Sequence, residues 1–129
     1  MLVGYACVIV ALSSIPSSRL RALELLWSFD KVLHMVEYAG LSLLLCRALT
    51  VTGRGSVALV AAFVIAACFG VLDEVYQSTT PGRYASAFDV MADCAGAAVG
   101  VGLWWVILRS WRRFAASEEN NPSSGPIPS

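Results

Sequence analysis

The residues with chemistry to offer fall into three short runs. The first is Asp30-Lys31-x-x-His34-x-x-Glu37-Tyr38. The second is Asp73-Glu74-x-x-Gln77, followed by Pro81-Gly82-Arg83, and the third is Asp89-x-x-x-Asp93. Six of the nine acidic residues lie in these runs. Helical residues four apart share a face, so Asp30, His34 and Tyr38 form one stripe, Asp73 and Gln77 a second, and Asp89 and Asp93 a third. The residue types suit proton transfer and anion binding. His34 is the only histidine, and imidazole titrates closest to neutral pH. It is therefore the candidate general acid or base, with Asp73, Glu74 and Asp93 as its candidate catalytic partners. Arg83 and Lys31 are the candidate holders of a phosphate or carboxylate, and the planar fork of arginine suits either group. Gln77, Asp30 and Asp89 complete the candidate substrate-binding set.

Each of these residues has a plainer reading beside the chemical one. Asp30 and Asp89 also read as helix caps, and Ser86-x-x-Asp89 reads as a capping box. Lys31 can snorkel to a membrane surface. Glu37 lies off the main stripe and reads equally as packing or an ion pair, and Tyr38 reads as structural. Asp73 and Glu74 are adjacent and so point about 100° apart. One can face a pocket while the other pairs with Arg83 or Lys31. Asp93 lies past the cap and inside an apolar block, where it should pair with His34, Lys31 or Arg83, or hold a cation. A divalent ion would suit Asp73, Glu74, Asp89 or Asp93 as hard oxygen ligands. The spacing does not demand one, so no metal is assigned and no cofactor is named.

The elements that must position these residues are apolar. Of 129 residues, 57% are hydrophobic and 14% charged. The apolar residues run in long blocks with short polar breaks, which is the pattern of membrane spans. The blocks run from about Leu2 to Ile15, Asp30 to Leu49, Ser56 to Gln77 and Ala87 to Leu108. The first is short, since a crossing takes roughly 20 residues. Ser17 to Phe29 mixes leucines with Arg19, Arg21 and Glu24 and reads as an amphipathic segment at the interface. Thr52-Gly53-Arg54-Gly55 reads as a turn, and Pro81-Gly82 fits the centre of a type II turn. The fold expected is therefore all-α: a polytopic membrane protein with four transmembrane helices in an antiparallel bundle and a short interfacial segment after the first. One domain is expected over residues 1–116, with a polar, disordered tail over 117–129. A cleaved signal peptide is not expected, because no basic stretch opens the sequence. Cys7, Cys46, Cys68 and Cys94 all lie in apolar blocks without a C-x-x-C pair and read as small packing residues.

Successive helices alternate in direction. The end of the first, the start of the second, the end of the third and the start of the fourth then share one membrane face, and with them all three polar runs. A charge near mid-bilayer costs about 2.5–3.5 kcal/mol on insertion scales, so the stripes should face one another and open to that face. Arg47, Arg54, Arg109, Arg112 and Arg113 mark the opposite side, against Arg19, Arg21, Lys31 and Arg83 on the polar one. Setting aside Lys31 and Arg83 as part of the site leaves five against two, which puts both termini in the cytoplasm and the polar site outside. Ala92, Gly96 and Gly100 give the fourth helix a small-residue face for close packing, and Trp104, Trp105 and Trp111 mark an interface. A formal net charge of zero suggests no nucleic-acid partner.

Taken together, the three runs resemble the VanZ-like family of small bacterial membrane proteins. The resemblance covers the chain from about Ser13 to Gly102, in the order Asp30-Lys31-x-x-His34-x-x-Glu37-Tyr38, Asp73-Glu74-x-x-Gln77 with Pro81-Gly82-Arg83, and Asp89-x-x-x-Asp93 with Gly96. At Asp93 the family often carries Asn. The resemblance implies a multi-pass protein of the bacterial cytoplasmic membrane. Its founding member is associated with resistance to the glycopeptide teicoplanin, which points to the cell envelope without naming a reaction. Three functions are weighed. The leading one is a site that binds or acts on an anionic lipid-linked or envelope precursor, with membrane lipid around it. The second is a non-catalytic accessory or structural subunit of a larger membrane complex. The third, an ion or proton pathway, fits poorly, because the cytoplasmic halves of the spans lack charge.

Overall fold

A computed structural model describes residues 1–21, 30–50 and 55–119. The described residues are helical or in turns, with no strand among them. The elements are α1 (Leu2–Ser13), α2 (Ser17–Arg21), α3 (Asp30–Thr50), α4 (Gly55–Gln77) and α5 (Ala87–Glu119). Three of these helices, α3, α4 and α5, are long and apolar enough to cross a membrane. At about 1.5 Å per residue they run roughly 31, 35 and 50 Å, against a hydrocarbon core of about 30 Å. The apolar helix α1 is shorter, with 12 residues, or about 18 Å. The interfacial segment expected over Ser17–Phe29 begins as the short helix α2 and otherwise lies outside the described residues, as do Thr52, Gly53 and Arg54.

The expected helix boundaries hold to within two residues except at the end of α5. It continues through Arg109, Trp111 and Phe114 to Glu119, past the Leu108 read from the sequence. No glycine or proline interrupts that stretch, and the first proline after it is Pro122. Residues 117–119 of the expected tail are thus helical, and 120–129 lie outside the described residues. The extension places Arg109 over the Trp105 ring, 4.4 Å from its centre, a cation–π contact one turn apart on the helix.

The chain is inside-out relative to a water-soluble bundle. On α4, Val57, Val60, Val64, Val71 and Val75 are exposed, whereas Asp73, Glu74 and Gln77 are buried. That pattern suits a lipid surround, where outward valines cost nothing and inward polar groups must find one another. The apolar core is small and lies farther along the bundle. Tyr38, Leu41, Leu45 and Cys46 of α3 meet Ala62 and Ala66 of α4 and Ala97 of α5, with Ile9 of α1 closing one side.

The closest packing joins α3 and α5. A Cβ on Gly96 would collide with the Met35 backbone, and one on Gly100 with the Ala39 carbonyl and the Ser42 hydroxyl. The small-residue face of α5 is therefore used within the chain, against α3. Gly102, on another side of the helix, has nothing within 4 Å of a built Cβ. Close backbone approach at Gly96 and Gly100 is what brings the polar starts of α3 and α5 together.

Candidate functional site

Four helix ends meet at one end of the bundle, each contributing polar side chains. From α1, the Ser13 hydroxyl donates to Asp73 Oδ2 at 2.7 Å. Gln77, one turn beyond Asp73 on α4, donates through Nε2 to the same oxygen at 2.9 Å and to Ser13 Oγ at 3.1 Å. Beside them, the Ser14 and Tyr76 hydroxyls lie 3.0 Å apart. The end of α1 is thus tied to the end of α4 through buried groups, although α1 is the shortest of the apolar helices.

The loop after α4 is shaped by its glycine. Arg83 N donates to Thr80 O at 3.1 Å, closing a turn with Pro81 and Gly82 at its centre. Gly82 has φ +80°, the value a type II turn needs at its third position. A Cβ there would also strike Ser17 Oγ. The turn directs Arg83 back to α3, where Nη2 lies 3.8 Å from Asp30 Oδ1.

The start of α5 is capped in two parts. Ser86 Oγ accepts from Asp89 N at 3.4 Å. The reciprocal half of the capping box is filled differently from the sequence expectation: Glu74 Oε2, from α4, accepts the Ser86 N–H at 2.7 Å. That frees the Asp89 carboxylate to pair with Lys31 of α3. One turn deeper, His34 Nδ1 lies 2.8 Å from Asp93 Oδ1. The two are 4% and 0% exposed. Asp93 therefore takes His34 from among the partners read from the sequence. Asp73 and Glu74 each take neutral donors, and neither forms an ion pair among the described residues.

A cavity of about 380 Å³ opens among these ends. His34, Asp30 and Glu37 of α3 face it, with Gln77 from α4 and Arg83 from the loop. Arg19 of α2 and Ser13 stand on the side of α1, and Leu12, Ile15 and Leu33 give apolar wall. Of the residues singled out in the sequence, His34, Asp30, Gln77 and Arg83 line the cavity. Asp73, Glu74, Asp93, Lys31 and Asp89 do not. Asp73 lies behind Ser13 and Gln77, Asp93 behind His34, and Glu74 beneath the cap of α5. These acids position what the cavity presents.

Two lining residues carry more weight than the sequence reading gave them. Glu37 is half-buried on the wall, and Arg19 is an exposed cation at the rim. Neither side chain has a hydrogen bond or ion pair among the described residues. Glu37 had a usable signal: Asp30, His34 and Glu37 follow the i, i+4, i+7 spacing of one helix face. Arg19 had none, because nothing in the sequence fixes where α2 lies against the other helix ends.

The buried acids are only half satisfied. Asp73 Oδ1, Glu74 Oε1 and Asp93 Oδ2 are buried without a hydrogen-bond partner among the described residues, and so is the Tyr38 hydroxyl. Asp93 Oδ2 faces α4, where a Cβ on Gly70 would come within 2.8 Å of it. Burying a polar group without a partner costs about 1–3 kcal/mol. Packing alone does not favour three such carboxyl groups in a chain of this size.

The family model for VanZ/LLP1 matches residues 3–109, a stretch that contains every residue of this site. No curated protein and no solved structure matches the chain.

Proposed function

The chain belongs to the VanZ/LLP1 family, and we propose that its cavity binds the anionic head of a lipid-linked or cell-envelope molecule at the extracytoplasmic face of the bacterial cytoplasmic membrane. The observation that carries this reading is the make-up of the cavity wall. Arg83 and Arg19 share it with Leu12, Ile15 and Leu33, so a charged head and the first carbons of an apolar tail each meet matching surface. Arg83 is held by its turn, and its one ionic contact among the described residues, to Asp30, is long at 3.8 Å. Most of its donors therefore stay available to a phosphate or carboxylate. His34 is oriented by Asp93 and presents its other ring nitrogen for hydrogen bonding or proton exchange with the bound group. Gln77 and Ser13 give their protons to Asp73 and to the Ser13 oxygen and so brace the wall, while Glu37 accepts from a hydroxyl.

In this reading both termini are cytoplasmic and α1 completes a fourth crossing, with Arg47, Arg109, Arg112 and Arg113 on the inner side. The resemblance to a family associated with glycopeptide resistance points to the same compartment. An accessory subunit could offer the small-residue face of its last helix to a neighbour. Gly96 and Gly100 are instead taken up by α3.

The test is thermal unfolding of detergent-purified protein titrated with a polyprenyl phosphate or with the matching neutral polyprenol. The phosphate should raise the midpoint for the wild-type chain and fail to do so for Arg83→Ala. Equal stabilisation by the neutral alcohol, or an unchanged response in Arg83→Ala, would overturn the reading.

A further inference from the structure

Asp30 and His34 stand one turn apart at the start of α3 and project the same way. Asp89, at the start of α5, completes a group with them. One ring nitrogen of His34 and one carboxylate oxygen each from Asp30 and Asp89 lie within 4.8 Å of one another. The group shares only Asp89 with the hard oxygen donors named from the sequence, Asp73, Glu74, Asp89 and Asp93, whose spacing demands no ion.

The histidine distinguishes this group from a chance gathering of acids. His34 is 4% exposed, and its Nδ1 is engaged by Asp93 at 2.8 Å. Nε2 has no hydrogen-bond partner among the described residues, and His34 lines the cavity together with Asp30. A carboxylate on one ring nitrogen fixes the tautomer and the ring plane and makes the other nitrogen a better ligand, as carboxylate–histidine–metal arrangements do. Asp93 is positioned for that role and for no direct contact with the cavity. The contacts of Lys31 and Arg83 with Asp89 and Asp30 among the described residues run to the Oδ1 atoms, which leaves one oxygen of each carboxylate for a cation.

We propose that Asp30, His34 through Nε2, and Asp89 bind a divalent ion of the zinc or manganese class, with Asp93 as the positioning residue for His34. Zinc–nitrogen and zinc–oxygen bonds are about 2.0–2.2 Å, so small side-chain movements at Asp30 and Asp89 close the set around an ion. One imidazole and two carboxylates suit such an ion better than magnesium, which prefers oxygen and keeps its water. Three protein ligands leave a coordination position open to the cavity. The site shares the cavity with the anion-binding reading but does not depend on it.

The experiment uses protein purified in detergent without a histidine tag, stripped of metal and titrated with Zn²⁺ and separately with Co²⁺, with no lipid added. Zn²⁺ should bind at one equivalent, and Co²⁺ should give visible ligand-field absorption. His34→Ala should weaken binding at least 100-fold. Asp93→Asn should weaken it about 10- to 100-fold, as loss of an orienting partner does, while Glu118→Gln, exposed at the far end of α5, stays within about twofold. Asp30→Asn, at a half-buried helix start, keeps the test available if His34→Ala does not fold. Absence of binding to the wild-type protein, or wild-type affinity in both His34→Ala and Asp30→Asn, would overturn the proposal. Because no anionic lipid is present, these outcomes are separate from those of the phosphate titration.

Discussion

Nδ1 of His34 lies 2.8 Å from Oδ1 of Asp93, and the pair joins α3 to α5 in the interior of the bundle end. The residues are 59 positions apart in sequence, and both are buried. This contact orients the only imidazole in the chain toward the cavity. It depends on two glycines, Gly96 and Gly100, that let the helices come close enough for it to form.

Removing one partner should cost far more than removing a surface pair. Asp93→Ala leaves His34 buried without its acceptor, and loss of one member of a buried pair costs about 3–5 kcal/mol. Asp93→Asn keeps an acceptor oxygen and should cost about 1–2 kcal/mol. Lys31→Ala should cost less than about 1 kcal/mol, because the Lys31 side chain is 56% exposed although it meets Asp89. Denaturant unfolding in detergent, followed by tryptophan fluorescence, gives the ranking. Equal costs for Asp93→Ala and Lys31→Ala would contradict it.

Ser13 is the hinge between α1 and the rest of the site. It donates to Asp73 and accepts from Gln77, while its carbonyl lies 3.5 Å from the Thr80 hydroxyl. Ser13→Ala removes one of two donors to a buried carboxylate and should destabilise by about 1–3 kcal/mol. The larger effect should be local. Hydrogen exchange should speed up over the last turn of α1 and leave α3 and α5 unchanged. Uniform acceleration across all helices would argue against Ser13 as a local tie.

The two sides of α5 should respond oppositely to a single methyl group. Gly96→Ala meets the Met35 backbone, which cannot move aside without shifting α3, and overpacking of this kind costs about 1–3 kcal/mol. Gly102→Ala meets nothing within 4 Å and should be neutral or stabilising by up to about 1 kcal/mol through helix propensity. Unfolding midpoints of the two variants decide the matter. Similar midpoints would contradict the packing described here.

Much of this arrangement was legible before any coordinates. Alternating helix direction is enough to bring Asp30, Asp73 and Asp89 to one end, and the four-residue spacings put His34 with Asp30 and Asp93 with Asp89. What spacing could not supply is depth order around the cavity. Whether Asp73 faces the cavity or lies behind Ser13 depends on the rotation of α4 about its axis, and the valines on its outer side constrain that only loosely. Glu74 as acceptor for the cap of α5 was hidden for a similar reason, since a capping box is a local motif and the competing partner came from another helix. Arg19 was out of reach because its place depends on how the turn at Ser14–Pro16 sets α2 against the ends of the other helices. The length of α5 was misjudged because hydropathy reports where lipid ends, and a helix without breakers continues past that point.

The central claim is that the polar ends of the helices enclose one cavity that opens outward. Cysteine accessibility in intact cells tests it most directly, with Cys7, Cys46, Cys68 and Cys94 replaced and single cysteines introduced as Asp30→Cys, Glu37→Cys, Arg83→Cys and, on the other side, Arg109→Cys. A membrane-impermeant thiol reagent added outside should label the first three and spare the fourth until the cells are opened. Labelling of Arg109→Cys from outside with protection of Asp30→Cys and Arg83→Cys would place the cavity on the wrong face. Labelling of only one of the first three would mean that they do not share a cavity.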